Sequence, residues 1–195
     1  MSRRDRSRAI GRSGNKPFVV VSGLPGSGKT TLARQLAPLL NLGVIDKDDI
    51  LDRLFESHGV GDAAWRRTLS RESDAVLQSE AASSDGAILV SHWHLPGMPA
   101  DSGTPTAWLS ALSSCIVNVH CRCDPETAAA RFAKRQRHPG HLDAGRSEDD
   151  MLASIRDLSR HGEPGIGQRI DVETARAPSL DGLVSSIHAI FQTAG

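Results

Sequence analysis

The segment Gly23-Leu24-Pro25-Gly26-Ser27-Gly28-Lys29-Thr30 restricts what this chain can fold into more than any other stretch. It places glycines, a lysine and a threonine at every fixed position of the pattern G-x-x-x-x-G-K-[ST]. The run before it, Phe18-Val19-Val20-Val21-Ser22, is continuously apolar, as a strand buried on both faces must be. The run after it, Thr31-Leu32-Ala33-Arg34-Gln35-Leu36-Ala37, spaces its apolar residues as a helix does. A strand, a glycine loop and a helix in that order form a phosphate cradle. The glycines let backbone N–H groups turn inward around an anion, and the helix dipole adds to their pull. Residues 23–30, with Thr31, are therefore the candidate nucleotide-binding loop. Lys29 can reach the outer phosphates, and the Thr30 hydroxyl can ligate Mg²⁺.

A length of 195 residues suits one domain with a sizeable core. Apolar segments alternate with helical stretches, which predicts a parallel α/β arrangement. Strands are expected at 18–22, 43–46, 87–90, 115–121 and 168–172. Helices are expected at 29–40, 48–56, 62–82, 125–137, 147–160 and 180–191. Asp124 should N-cap the fourth of these, with Pro125 in its first turn. Ser147 with Asp150 forms a relaxed capping box for the fifth. The fold class is thus a three-layer α/β sandwich on a five-stranded parallel sheet, in the manner of P-loop NTPases of the nucleoside-kinase type. The Pro- and Gly-rich stretch from Leu95 to Pro105 reads as one long loop.

Residues 1–16 hold five arginines and Lys16 against one acid, Asp5, with no apolar periodicity. They read as a disordered basic arm ahead of a domain spanning 17–195. The formal net charge is zero, so nothing draws the whole molecule to nucleic acid or a membrane. No secretory h-region follows the arm, and no apolar run reaches membrane-spanning length. Cys115, Cys121 and Cys123 sit in or beside one apolar segment and do not make a disulfide framework, which points to a reducing cytoplasm. A monomer or homodimer is expected.

A nucleotide loop binds but does not itself specify a reaction. A guanine-specific site is disfavoured because no N/T-K-x-D signature ends a strand. A motor of the AAA+ type is disfavoured because the chain lacks room for a C-terminal helical domain. Two features favour transfer to an acceptor. The first is Asp46-Lys47-Asp48-Asp49, just past the second strand, at the sheet edge where α/β enzymes bind ligands. Asp46 closes the strand, Asp48 should point into the cleft as a general base, and Asp49 should cap or face solvent. An acidic helix start stabilised by the dipole accounts for the same residues, and the residues alone leave both readings open.

The second feature is the basic run Arg131-Phe132-Ala133-Lys134-Arg135-Gln136-Arg137. Arg131 and Arg135 are four apart and should share a helix face, one for stacking on adenine and one for phosphates. A solvated cationic face is the plainer alternative. His138-Pro139-Gly140-His141 breaks the helix, which suggests a lid over about 131–147. His92 and Trp93 either line an acceptor pocket or pack at the sheet edge. A zinc site from His92, His94, His120, Cys121 and Cys123 is disfavoured, since no loop-borne C-x-x-C knuckle is present.

These pieces together resemble the small P-loop kinases related to chloramphenicol phosphotransferase, polynucleotide 5′-hydroxyl kinase and zeta-toxin-type kinases, a group often called simply AAA-family ATPases. The matching motifs are GLPGSGKTT (23–31), DKDDI (46–50), DPETAAARFAKR (124–135), RHPGH (137–141) and IDVET (170–174). The resemblance implies ATP and Mg²⁺, and transfer of the γ-phosphoryl to a hydroxyl of a small molecule: a metabolite, a sugar or nucleoside, or an antibiotic. It implies that Asp48 is the base, that Arg135 meets the phosphates and that Arg131 stacks on adenine. Residues 173–177 would touch the adenine edge.

Two departures qualify this picture. The third strand runs into Ser91-His92-Trp93-His94 and offers no acid, so Mg²⁺ would rely on Thr30 with help from Asp46. Leu51 stands three residues after Asp48, where polynucleotide kinases carry arginine, which counts against a nucleic-acid acceptor. A polynucleotide 5′-hydroxyl kinase using the basic arm, and an ATP-binding regulatory module with slow hydrolysis, stay open as other classes.

Overall fold

The computed structural model describes residues 16–143 and 145–193. Five strands form one all-parallel sheet: β1 (Phe18–Gly23), β2 (Gly43–Asp46), β3 (Ala87–Val90), β4 (Ile116–Arg122) and β5 (Gln168–Glu173). Their order is β2-β3-β1-β4-β5, so β1 runs through the centre and delivers the glycine loop to the middle of the carboxyl edge. The α-helices are α1 (Lys29–Leu40), α2 (Lys47–His58), α3 (Ala63–Ser83), α4 (Leu109–Leu112), α5 (Pro125–Ala133), α6 (Glu148–Leu158) and α7 (Leu180–Thr193). The expected architecture, an α/β sandwich on five parallel strands, is the one observed.

Alternation along the central strands divides the core into two layers. Val19 and Val21 of β1, with Ile88 and Val90 of β3 and Val117 and Val119 of β4, pack on Leu32 and Leu36 of α1 and on Leu183 and Ile187 of α7. Phe18, Val20, Ala87 and Leu89 face the other way, onto Ile50 of α2 and Leu77 and Ala81 of α3. Fully burying one such large side chain contributes about 1.5–3 kcal/mol. A one-residue slip would send every strand residue to the wrong layer, so the pairing Phe18↔Ala87 is strongly specified. Two smaller clusters place the functional elements. Ala128, Ala129, Met151 and Ile155 hold α5 and α6 together beside Leu24 of the glycine loop. Leu51, Phe55 and Leu69 lock α2 to α3.

Two expectations need correction. The helix over 125–137 stops at Ala133, with Lys134 as its C-cap. Arg135 and Arg137 therefore lie beyond the helix in a segment without regular secondary structure, and Arg131 and Arg135 do not share a helix face. Tertiary contacts decide this: Arg137 stacks over the Phe132 ring at 5.4 Å and pairs with carboxylates from two other segments. The 95–105 stretch is a loop as expected, tied back by an isolated parallel bridge between Trp93 and Thr104. Lys16, expected in the arm, is anchored: its Nζ donates to the Ser84 carbonyl at 2.6 Å and its carbonyl accepts from Ser113 Oγ at 2.6 Å. The rest of the basic arm lies outside the described residues. Among those described, no helix is long and apolar enough to cross a membrane.

Candidate functional site

The glycine loop adopts the backbone its sequence requires. Gly26 has φ +79° and Gly28 φ +91°, both in the left-handed region. A Cβ on Gly26 would stand 2.0 Å from the Ala128 carbonyl oxygen, so glycine is what lets the loop pass against α5. Gly28 has nothing within 4 Å of that position and opens α1 without a side-chain cap. The orphan N–H groups of the first helical turn are thus left for a ligand. Ser27 Oγ is buried beside them with no hydrogen-bond partner. Lys29 Nζ folds back onto the carbonyls of Gly23 and Leu24, at 2.9 Å each. Burial lowers its pKa, against which nearby Cys121, Asp48 and Asp46 act. An open concave backbone, an orphan hydroxyl and a desolvated ammonium suit a phosphate chain.

Asp46 joins this loop to α2. Its Oδ2 accepts from Thr30 Oγ1 at 2.7 Å, and its Oδ1 accepts from the Asp48 backbone N–H at 3.0 Å, capping α2. Burial raises its pKa, while the Thr30 hydrogen bond works the other way. A hydroxyl and a buried carboxylate in direct contact at the end of β2 are a hard-oxygen pair suited to Mg²⁺. Asp49 faces outward and pairs with Arg34 at 3.0 Å.

Asp48 lies over the same cavity, which has a volume of about 720 Å³ and also holds Lys29, Thr30, His92 and Arg135. Burial alone would raise its carboxyl, but Arg137, His141, Arg135 and Lys29 together hold it below the ordinary range. The nearest of these is Arg137, whose Nη2 donates to Asp48 Oδ2 at 2.8 Å and whose Nη1 reaches Asp143 at 2.6 Å. Arg135 stands 3.7 Å from the same Asp48 oxygen. The segment carrying both is fastened to α2 by aromatic contacts. His138 stacks on Phe55 at 5.2 Å, and His141 meets Phe55 edge-on while contacting Asp52 at 2.7 Å.

Arg131 is placed differently. Its guanidinium donates to the Thr174 and Ala175 carbonyls at 2.8 and 2.9 Å, holding the loop after β5 against α5. It therefore adjoins the 173–177 segment. Thr31 lines the 720 Å³ cavity as well. His92 also lines it, and burial with Lys29 and Lys47 nearby lowers its pKa to about 4, so it is neutral near pH 7. Trp93 is separated from its neighbour: it is buried in the core and donates Nε1–H to the Val21 carbonyl at 3.0 Å. It lines a second cavity of about 510 Å³ on the far side of the glycine loop, into which His92, His120 and Cys121 also face. Burial pushes Cys121 up to about 12, which leaves it a neutral thiol.

Several residues of the cavity escaped the sequence reading. Lys47 pairs with Asp74 at 2.6 Å. Asp74 accepts from Thr104, which contacts Ser91 at 2.5 Å, so Ser91, just after β3, sits inside a polar network and offers no acid. Arg66 of α3 lines the same cavity. Its spacing from Ser70 and Asp74, four and eight residues on, was a visible signal of one shared helix face. Nothing in the sequence signalled that Arg137 would reach Asp48.

A family model described as an AAA domain matches residues 19–152. Among curated proteins, shikimate kinase of Corynebacterium glutamicum is 36% identical over 73 residues, covering 37% of this chain and 43% of that enzyme. The chain thus spans less than half the length of that relative. Cytidylate kinase of Haloarcula marismortui is 29% identical over 181 residues, covering 89% of this chain and 88% of the relative. A solved structure from Chloroflexus aurantiacus, provisionally described as a kinase, superposes with a TM-score of 0.71 at 25% identity, over 90% of this chain and 98% of the other.

Proposed function

The chain belongs to the AAA domain family, and from that premise we propose that it is an ATP-dependent phosphotransferase acting on a hydroxyl of a small molecule. The observation that carries the reading is Asp48, a carboxylate in the first turn of α2, placed in one cavity with Lys29 and flanked by Arg135 and Arg137. A base, a phosphate-binding lysine and nearby guanidiniums are the parts such a transfer needs. The kinase names of the relatives agree with it. The likeness of residues 23–31, 46–50 and 124–141 to chloramphenicol phosphotransferase-like, polynucleotide kinase-like and zeta-toxin-like enzymes supports the same class.

ATP with Mg²⁺ would be held by residues 23–31, Thr30 and Asp46, and supplies the phosphoryl group and the charge that offsets its oxygens. Lys29 leaves the loop carbonyls to bind phosphate. Arg135 would turn from Asp48 toward the phosphates, while Arg137 stays on Oδ2 and leaves the other carboxylate oxygen, Oδ1, to accept the acceptor's hydroxyl proton. Arg131 and the loop after β5 form the adenine side. The 131–147 segment, resting on Phe55, excludes water when closed, which a kinase needs to avoid hydrolysing ATP. His92, neutral, can only donate or accept one hydrogen bond toward the acceptor.

The test is an acceptor panel coupled to ADP release. Asp48→Asn should lower kcat by about 10²–10⁴-fold and leave nucleotide affinity near normal. Lys29→Ala should remove both turnover and the ATP-dependent rise in Tm. Full activity in Asp48→Asn would dismiss Asp48 as the base. Equal ADP release with and without every acceptor would favour an ATPase module.

A further inference from the structure

Basic side chains lining the 720 Å³ cavity outnumber acidic ones by ten to five, although the chain as a whole is neutral. Most of the ten have partners. Arg34 pairs with Asp49, Lys47 with Asp74, and Arg137 with Asp48 and Asp143. Arg131 is held by carbonyls and Arg146 by Ser154. Lys29 and Arg135 belong to the nucleotide end. Arg71 approaches Asp101 at 3.9 Å, at the edge of ion-pair range. Arg66 and Arg67 remain, next to each other on α3, and neither has an acidic partner among the described residues.

Arg66 stands out on a second, independent ground. Its Nε is buried from solvent and has no hydrogen-bond partner. It also lies close enough to Lys47 for the two charges to repel: burial lowers the Lys47 pKa most, and Arg66 adds to that effect. A half-buried guanidinium with an unpartnered Nε, set near a buried ammonium, is favoured by an incoming anion. A planar guanidinium with a free edge is suited to a carboxylate or a phosphoryl group, which it can grip with two hydrogen bonds. Ser70, four residues along the same face, is a further hydrogen-bonding group in the cavity.

We propose that the acceptor is an anionic alcohol, whose carboxylate or phosphoryl group is held by Arg66 and Arg67 on α3 while its hydroxyl is turned toward Asp48. This rests on the kinase reading of the Asp48 cavity. The anion would set the acceptor's orientation from the side opposite the glycine loop. It would also offset the Arg66–Lys47 repulsion, which favours charged acceptors over neutral alcohols of the same shape. The second cavity, which has no such cationic wall, is not the acceptor site on this view.

Two measurements test it. In the first, protein saturated with Mg·AMP-PNP is titrated with inorganic phosphate by calorimetry. Saturable binding is expected, weakened at least tenfold by Arg66→Gln and about threefold by Arg66→Lys, with AMP-PNP affinity within twofold throughout. Absence of binding, or binding equal in wild type and Arg66→Gln (an adventitious ion only), overturns the proposal. In the second, hydroxy acids, sugar or nucleoside monophosphates, and neutral polyols are compared as acceptors. Turnover confined to hydroxy acids or to monophosphates identifies the source of the anion, and Arg66→Gln should raise KM more than it lowers kcat. Turnover of neutral polyols alone overturns the proposal while leaving the kinase reading intact. If no compound is turned over, the phosphate titration decides. A protein that fails to bind AMP-PNP would sink the kinase reading instead.

Discussion

Replacing Arg137 by alanine would show how firmly the segment after α5 is fastened to Asp48. The Arg137 side chain is only 13% exposed and bridges two carboxylates, Asp48 at 2.8 Å and Asp143 at 2.6 Å. Truncation leaves both acids facing one another without a counter-charge. Exposed ion pairs contribute at most about 1 kcal/mol, and breaking a fully buried pair costs about 3–5 kcal/mol. Asp48 is 35% exposed and Asp143 24%, so water relieves part of the loss. The expected destabilisation is near 2 kcal/mol, including the lost contact with Phe132. Its pH dependence has a definite sign. Arg137 helps hold the Asp48 carboxyl low, so its contribution is complete above the ordinary carboxylate pKa and is lost as pH falls through the folded-state value. Urea unfolding should therefore show the full deficit at about pH 7 and a smaller one at about pH 3. A cycle with Asp48→Asn should return a coupling of about 1 kcal/mol. A deficit equal at both pH values, or below about 0.5 kcal/mol at neutral pH, would refute the reasoning.

Gly26→Ala and Gly28→Ala separate strain from collision in the glycine loop. Both impose an alanine on left-handed backbone, a cost of about 1–2 kcal/mol, but only Gly26 adds a clash, 2.0 Å from the Ala128 carbonyl oxygen. Gly26→Ala should lose clearly more stability by urea titration, and indistinguishable losses would mean that α5 yields without cost. His92 makes a pH prediction of the same sense as Asp48, in a higher pH window. Its pKa of about 4 in the fold lies below the ordinary 6.5, so the unfolded chain takes the proton first and stability falls as pH drops through that window. His92→Gln should flatten this slope, by up to about 1.4 kcal/mol per pH unit, and an unchanged slope between pH values of about 5 and 6 would remove His92 as its source.

What the sequence determined by itself was everything encoded over short spans of chain. The glycine loop was legible because positive φ restricts those positions to glycine. The five strands were legible because β1 and β3 are apolar without interruption, and the N-caps at Asp124 and Ser147 because a side-chain oxygen satisfies an N–H only two or three residues on. Sequence placed the glycine loop and the end of β2 at one carboxyl edge, but the hydrogen bond from Thr30 to Asp46 came only from the fold. Tertiary structure alone decided which arginines matter. A run of basic residues has no period that says where it ends as a helix. α5 stopped at Ala133 because Arg137 and His138 gain more from Asp48, Asp143 and Phe55 than from another turn. Arg137 and Asp48 are 89 residues apart, and Asp74 and Thr104 are 30 apart. No local propensity reports such meetings. They exist because the order β2-β3-β1-β4-β5 brings α2, α3 and the segment after α5 around one carboxyl edge, where charge is compensated through space instead of along the chain.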